Sequence, residues 1–408
     1  MSVTRYGVSP WVDRVSPKKR PSFAAFKGHE EVPLVIIGGG LAGVMTAYAC
    51  AAAGQKAVLL EGDRLGSGGS GRSNGVCAGE AALSFRELEA AAGRKTARAH
   101  AEHSRKAVMD LAATVKRLGI KADLELVDAL RMVPAGWPVK DLQKEVEARK
   151  AAGLDVTWQS AAAGDKATGT ETAGAARLTP WAQCDPYRLV LGFAAAAASR
   201  GARLFERTSV TSITFDRKVA TVVTAGGSLV SPCVVHATGE PGPLVKGLKR
   251  HFAFSARAMA YSEVLPPAVR KALGPRTAVV CDVDSPPHTI RWTADHRVLI
   301  AGADGDRPPA KKEAAFHVQR TGQLMYELSR LYPAVSGVPP AFGWSLPLAH
   351  AADGGLYAGT HRNFPHQLFA FGTAHDPARA FLASRILLRH VIGQASAADE
   401  QFGFARVL

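Results

Sequence analysis

The spacing Gly38-x-Gly40-x-x-Gly43 constrains this chain more than any other feature. An apolar, β-branched run from Val32 to Ile37 precedes it, and an alanine-rich run from Leu41 to Ala53 follows. That punctuation predicts strand, tight turn and helix. Ala57 to Glu61 predicts a second strand, completing a β-α-β unit of about thirty residues. The first glycine permits the turn, the second lets backbone approach a pyrophosphate, and the third lets helix pack on strand. A pyrophosphate lying over Gly38, Gly40, Leu41, Ala42 and Gly43 would meet free N–H groups at the positive end of a helix dipole. Glu61 ends the second strand 18 residues after Gly43. It would accept hydrogen bonds from ribose hydroxyls and disfavour a 2′-phosphate, which argues against NADP. Residues 32–55 carry no charge and reach the length of a membrane span. Pro33 and Gly38-Gly39-Gly40 split them, so no transmembrane segment is expected.

The 408 residues suggest two or three domains. With 47% hydrophobic and 21% charged residues there is enough apolar surface for a core, which excludes disorder as the dominant state. The N-terminal residues Met1 to Tyr6 lack the apolar region of a secretory signal. Cys50, Cys77, Cys184, Cys233 and Cys281 are far apart, and no Cys/His cluster has metal-ligand spacing. Reduced thiols, a cytoplasmic location and no metal site are therefore expected. A net charge of +15 favours anionic partners, an acidic substrate among them. The densest basic run, Lys18-Lys19-Arg20, is too short for a nucleic-acid tail, and no basic-aromatic stripe accompanies it.

Along the chain, residues 1–30 read as an extended arm and 81–118 as a long helix. A further helix is predicted near 139–152, and residues 160–177 read as an Ala/Gly/Thr-rich surface loop. Helices are predicted from Asp185-Pro186, near 314–331, and from Pro377 to about Val391.

Directly after Glu61-Gly62 comes a small-residue loop with one cation and one amide, Ser70-Gly71-Arg72-Ser73-Asn74-Gly75, able to run close along a ribityl-diphosphate chain. The stretch from Leu59-Leu60-Glu61 through this loop resembles the flavin fingerprint of the D-amino-acid-oxidase-like FAD oxidoreductases. Their pattern here is closest to that of gamma-glutamylputrescine oxidase, glycine oxidase and D-amino-acid dehydrogenase relatives. The resemblance runs over roughly residues 32–395. Cys184-Asp185-Pro186-Tyr187-Arg188 followed by Gly201 to Val210 is similar to the family's helix-strand segment, implying that the Val210 backbone clasps adenine. Val235-His236-Ala237-Thr238-Gly239 resembles the strand end that closes over the adenosine half, implying contacts from Thr238 and Gly239. The final flavin loop departs from the family's Gly-His-Gly. It reads Gly372-Thr373-Ala374-His375-Asp376-Pro377-Ala378, where a helix start still offers N–H groups to the flavin pyrimidine. No Cys lies near that loop, so non-covalent FAD is expected.

The implied fold is α/β. A Rossmann-type FAD-binding domain (31–80, 178–247 and 345–408) is interleaved with a mixed β-sheet plus helix substrate domain (81–177 and 248–344). Arg291, on a hairpin resembling one that bears a substrate-side arginine, would grip a carboxylate bidentately. His350 and Tyr261 are the other candidate catalytic residues. The implied reaction is oxidation of a C–N bond in a small amine or amino acid. A hydride passes to flavin N5, water hydrolyses the imine, and oxygen or another acceptor reoxidises the flavin. Two alternatives stay open: a flavoprotein acting in tRNA or RNA modification, and a flavin-binding protein without turnover.

Overall fold

The computed structural model describes residues 3–80, 83–274, 276–284, 286–373 and 375–406. Two sheets meet in it, with a third laid across the smaller. The smaller runs in the order Tyr357–His361, Phe364–Phe371, Val234–Gly239, Leu34–Ile37, Ala57–Leu60 and Arg203–Phe205. Its five inner pairings except the first are parallel. Both of its faces are covered, which is why its central strands are apolar at every position. Leu34, Ile36 and Leu59 face the helices Leu41–Ala52, Pro186–Ala198 and Pro377–Val391. Val35, Ile37, Val58 and Leu60 face Phe26, Val222 and Leu229. Those last three belong to a four-stranded sheet and the chain leading into it: Val210–Phe215, Ala220–Thr224, Gly227–Ser231 and Gly28–Glu31.

The large sheet has ten strands. Along its main path stand Arg5–Tyr6, Pro340–Ala351, Phe252–Ser262, Val298–Gly305, Thr289–Trp292, Val279–Asp282, Glu125–Pro134, Thr172–Gln183 and Val76–Cys77. Alternation decides its faces. Ile290, Trp292, Val298 and Ile300 pack under helix Glu313–Leu331 through Leu324 and Leu328. Met259, Tyr261, Leu299, Ala301, Trp344, Leu346 and Leu348 form the opposite face, toward the small sheet.

Several expectations change. The long helix is two, Phe85–Ala92 and Arg94–Leu118, because Gly93 has φ +82° between them and Ser84 with Glu87 forms a capping box. Residues 160–177 are no surface loop: Ala161–Thr168 is a helix, and Thr172–Gln183 is a strand inside the large sheet. The small side chains of Ala175 and Ala176 are buried there. The arm is structured, with a strand at Arg5–Tyr6, a short helix at Pro10–Asp13 and a strand at Gly28–Glu31. Three expected domain borders meet large-sheet strands: Val76–Cys77 lies before the first, while Thr172–Gln183 and Pro340–Ala351 cross two others.

Candidate functional site

The glycine turn does what its spacing requires. Gly38 has φ +109°, and a Cβ there would lie 2.6 Å from the Ala237 carbonyl oxygen. A Cβ on Gly43 would lie 1.9 Å from the Gly38 carbonyl oxygen, so helix and turn touch backbone to backbone. Gly40 caps the helix in extended conformation, and the Leu41 N–H donates to Ser70 Oγ at 2.8 Å. The first-turn amides of Ala42 and Gly43 have no intrahelical acceptor by geometry. Glu61 braces the same turn: Oε2 accepts from Gly39 N at 2.6 Å and Oε1 from Asp63 N at 2.9 Å. Burial raises its carboxyl pKa, against the pull of those two amides. Gly62 packs on Ser209, and Val210 opens the next strand half-buried against the small sheet. Thr238 Oγ1 donates to Glu240 O at 2.8 Å, and Gly372 N donates to Gly239 O at 3.0 Å, tying the ends of two neighbouring strands. These expected cofactor positions therefore line one edge of the small sheet.

The segment Ser70 to Gly75 begins in a short helix, Gly69–Arg72, and only its later part is loop; it crosses from that edge to the large sheet, with Ser73 and Asn74 buried. The Ser73 hydroxyl donates to the His375 carbonyl at 2.9 Å, so the loop and the final flavin segment meet. Ala374 lies outside the described residues. At the last helix, the expectation of free amides is corrected. Asp376 Oδ1 accepts from Ala378 N at 2.7 Å and from Arg379 N at 3.4 Å, while Oδ2 accepts from Ala78 N at 3.1 Å. An aspartate at an N-cap satisfies those donors itself. Burial raises the Asp376 pKa, with Arg379 and the amides opposing.

Between the loop and the large sheet lies a cavity of about 910 Å³. Asn74, His375 and Asp376 line it from the small-sheet side, and Val76 with Ala78 from the last strand of the large sheet and just beyond it. Arg257, Met259, Leu346, Leu348 and His350 line it from the large sheet, with Thr289, Cys281 and Arg131 further across. The register explains the grouping, since Arg257 pairs opposite Leu346 and Thr289 opposite Cys281. Arg257 holds Asp304 with two bonds, Nε at 2.8 Å and Nη2 at 2.7 Å. Its Nη1 makes no hydrogen bond to a described residue. His350 Nε2 is 2.9 Å from Ser255 Oγ. Burial, then Arg257, lowers the His350 pKa; burial, Arg379 and Arg257 lower that of His375 further. Both imidazoles are neutral at neutral pH.

Of the three expected catalytic residues, the structure brings only His350 to this cavity. Arg291 shares a sheet face with Thr289 but lies two residues further on, beneath the loop. There Nη1 donates to Asn74 O at 2.7 Å and to Cys184 O at 2.9 Å, and the guanidinium sits over Trp11. Its expected carboxylate grip is corrected: backbone carbonyls hold it, and the arm covers that end of the sheet. Tyr261 is likewise covered; its hydroxyl accepts from Arg14 at 2.7 Å and donates to Asp295 at 2.9 Å. Arg257 was missed. Its signal was a lone cation in the alternating strand Phe252–Ser262, on the parity of Met259. Cys77 points away from the cavity that Val76 and Ala78 line. It packs in the helix-side core, where hydrogen bonding to the Cys184 thiol and burial raise its pKa.

The turn, the acid at the second strand end and the loop beyond it fit a flavin dinucleotide: only glycine clears the close backbone approaches, and the donors face one edge. A family model for FAD dependent oxidoreductases matches residues 33–383, and the chain belongs to that family. It is thus an FAD-dependent oxidoreductase. The chain is 23% identical over 372 residues to a probable oxidoreductase OrdL of Haemophilus influenzae, covering 89% of this chain and 84% of the other. It is 26% identical over 321 residues to gamma-glutamylputrescine oxidoreductase of Escherichia coli, covering 76% and 72%. Among solved structures, glycine oxidase from Geobacillus kaustophilus aligns with TM-score 0.77 at 19% identity, covering 93% of this chain and 99% of that one. The L-amino acid deaminase from Proteus myxofaciens aligns with TM-score 0.77 at 14% identity, covering 95% and 96%. Among the described residues no helix is long and apolar enough to cross a membrane.

Proposed function

We propose that this enzyme oxidises the C–N bond of an amine or amino acid that carries a carboxylate, in the cavity between the two sheets. The carrying observation is that this one cavity is walled by the flavin-side segments on one side and by Arg257 and His350 on the other. Bound FAD would supply a two-electron acceptor for the hydride on the amine-bearing carbon, leaving an imine for water to hydrolyse. Glu61 would hold the ribose, the turn at Gly38 to Gly43 the diphosphate, and Asn74 with the Ser73–His375 contact the flavin end. Arg257 offers its Nη1 edge to the substrate carboxylate while Asp304 keeps the guanidinium plane fixed. Leu346, Leu348 and Met259 exclude water around the carbon to be oxidised. The substrate reacts with its amine neutral, because the nitrogen lone pair must form the imine as the hydride leaves. Neutral His350, on the cavity wall, would take the proton given up. The orientation of Cys77 supports non-covalent FAD, and acid precipitation should release all the flavin into the supernatant.

The test is a titration of the flavin-loaded protein with a carboxylate lacking an amine, followed in the visible flavin bands. A saturable shift in the parent, weakened at least tenfold in Arg257→Lys, is expected. A parent whose bands do not move would remove the carboxylate from the proposal.

A further inference from the structure

The loop Gly71 to Asn74 is held in an unusual way. Four successive carbonyls each accept a hydrogen bond from a side chain of a distant segment. Ser9 Oγ donates to Gly71 O at 2.5 Å and Trp344 Nε1 to Arg72 O at 2.8 Å. Trp11 Nε1 donates to Ser73 O at 2.8 Å and Arg291 Nη1 to Asn74 O at 2.7 Å. The next carbonyl, Gly75 O, accepts from Cys184 N at 2.8 Å. A trans peptide is planar, so fixing the Ser73 carbonyl fixes the opposite direction for the Asn74 N–H. That N–H makes no hydrogen bond among the described residues, and its residue lines the cavity. Two of the four donors come from the N-terminal arm. The arm is itself anchored on the large sheet: Arg5–Tyr6 pairs in parallel with Phe342 and Gly343, and Arg14 reaches Tyr261 and Asp295.

We propose that the N-terminal arm is a working part of the cofactor site, in which Ser9 and Trp11, together with Arg291 and Trp344, are positioning residues that set the peptide planes of residues 71–75 and present the Asn74 amide to the flavin. This rests on the reading that the loop borders the flavin end of FAD. The loop is rich in glycine and serine and would otherwise sample many conformations, each disfavoured by the ordering that binding demands. Four side chains from three segments remove that freedom beforehand. Arg291 suits the role because it carries a fork of donors where Asn74 O and Cys184 O converge, with Trp11 closing over its face.

The test compares Ser9→Ala, Trp11→Phe and their double variant with Lys18→Gln, which alters an exposed side chain of the same arm. The FAD dissociation constant of the apoprotein is measured by quenching of flavin fluorescence, together with the visible spectrum of the bound flavin and far-ultraviolet dichroism. One buried neutral hydrogen bond corresponds to roughly five-fold in affinity, so the double variant should bind FAD about twenty-fold more weakly. Its flavin bands should shift while the dichroism stays that of the parent, and Ser9→Thr should restore the affinity lost in Ser9→Ala. Lys18→Gln should stay within about two-fold. Unchanged affinity and bands in the double variant overturn the proposal. So does an equal loss in Lys18→Gln, which would make the arm sensitive to any change. A parent chain that takes up no FAD overturns the underlying reading before any substitution is made, and is thereby told apart from failure of the arm.

Discussion

The small parallel sheet and the large sheet bring chemistry to the same cavity by different means. The small sheet works through backbone. Its turn amides, the carbonyls of Gly38 and Ala237, and the glycines that let them approach lie within a few residues of three strand ends. The large sheet works through side chains. Arg131, Cys281, Thr289, Met259, Arg257, Leu346 and His350 come from five strands spread over residues 125–351, and register alone places them together. On the proposed reading, a cofactor common to many enzymes would be held by parts that tolerate little change, while the wall facing the substrate could vary one side chain at a time.

That contrast can be broken at its strongest point first. Gly43→Val places carbon against the Gly38 carbonyl, and a loss of 4 kcal/mol or more is expected, on the order of the most damaging core substitutions. The chain should be recovered colourless and poorly folded; a yellow, stable variant would show that turn and helix do not touch as described.

Each sheet also buries a histidine, and the two titrate oppositely. In the small sheet, burial lowers His236 to about 4, with Gln367 only partly opposing. The unfolded chain charges this ring below about 6.5 and the fold does not, so stability falls as pH drops from there toward 4. Beside the large sheet, burial opposes charging His288, but Asp282 and Glu327 outweigh it and raise the pKa to about 9. That contribution is complete below about 6.5 and is lost as pH rises through 9. Each effect is on the order of 3 kcal/mol over its window. Melting temperature against pH should lose part of its acid limb in His236→Phe and part of its alkaline limb in His288→Gln. Parallel curves for parent and variants would contradict both assignments.

On the substrate wall, Arg257→Lys keeps a charge near Asp304 but loses the planar fork, and kcat/KM should fall by roughly 100-fold with flavin content unchanged. An equal loss of flavin would place Arg257 in the cofactor site instead. The smallest effect expected is for His350→Gln: about tenfold in kcat/KM at neutral pH, with loss of an acid limb that in the parent lies below the ordinary imidazole range. An unchanged profile would leave His350 as a partner of Ser255 alone.

The same contrast explains what could be read from the chain. Gly38, Gly40, Gly43 and Glu61 were legible because turn geometry and helix packing dictate residue types at short, fixed spacing. The strand Thr172–Gln183 was not, since its alanine- and glycine-rich start looks like a loop until its neighbours in the sheet are known. Arg291 was assigned to substrate from its hairpin, yet Trp11, 280 residues earlier, covers that end of the sheet. Asp376 reads as a cap in sequence and is one, which removes the free amides expected beside it.

The most direct measurement mixes the flavin-loaded enzyme anaerobically with a panel of amines and amino acids, with and without a carboxylate, and follows the visible flavin band. Bleaching is expected only with members that carry a carboxylate. Bleaching by carboxylate-free amines alone, or by none of the panel while the carboxylate-bearing members still bind, would contradict the assignment of this cavity.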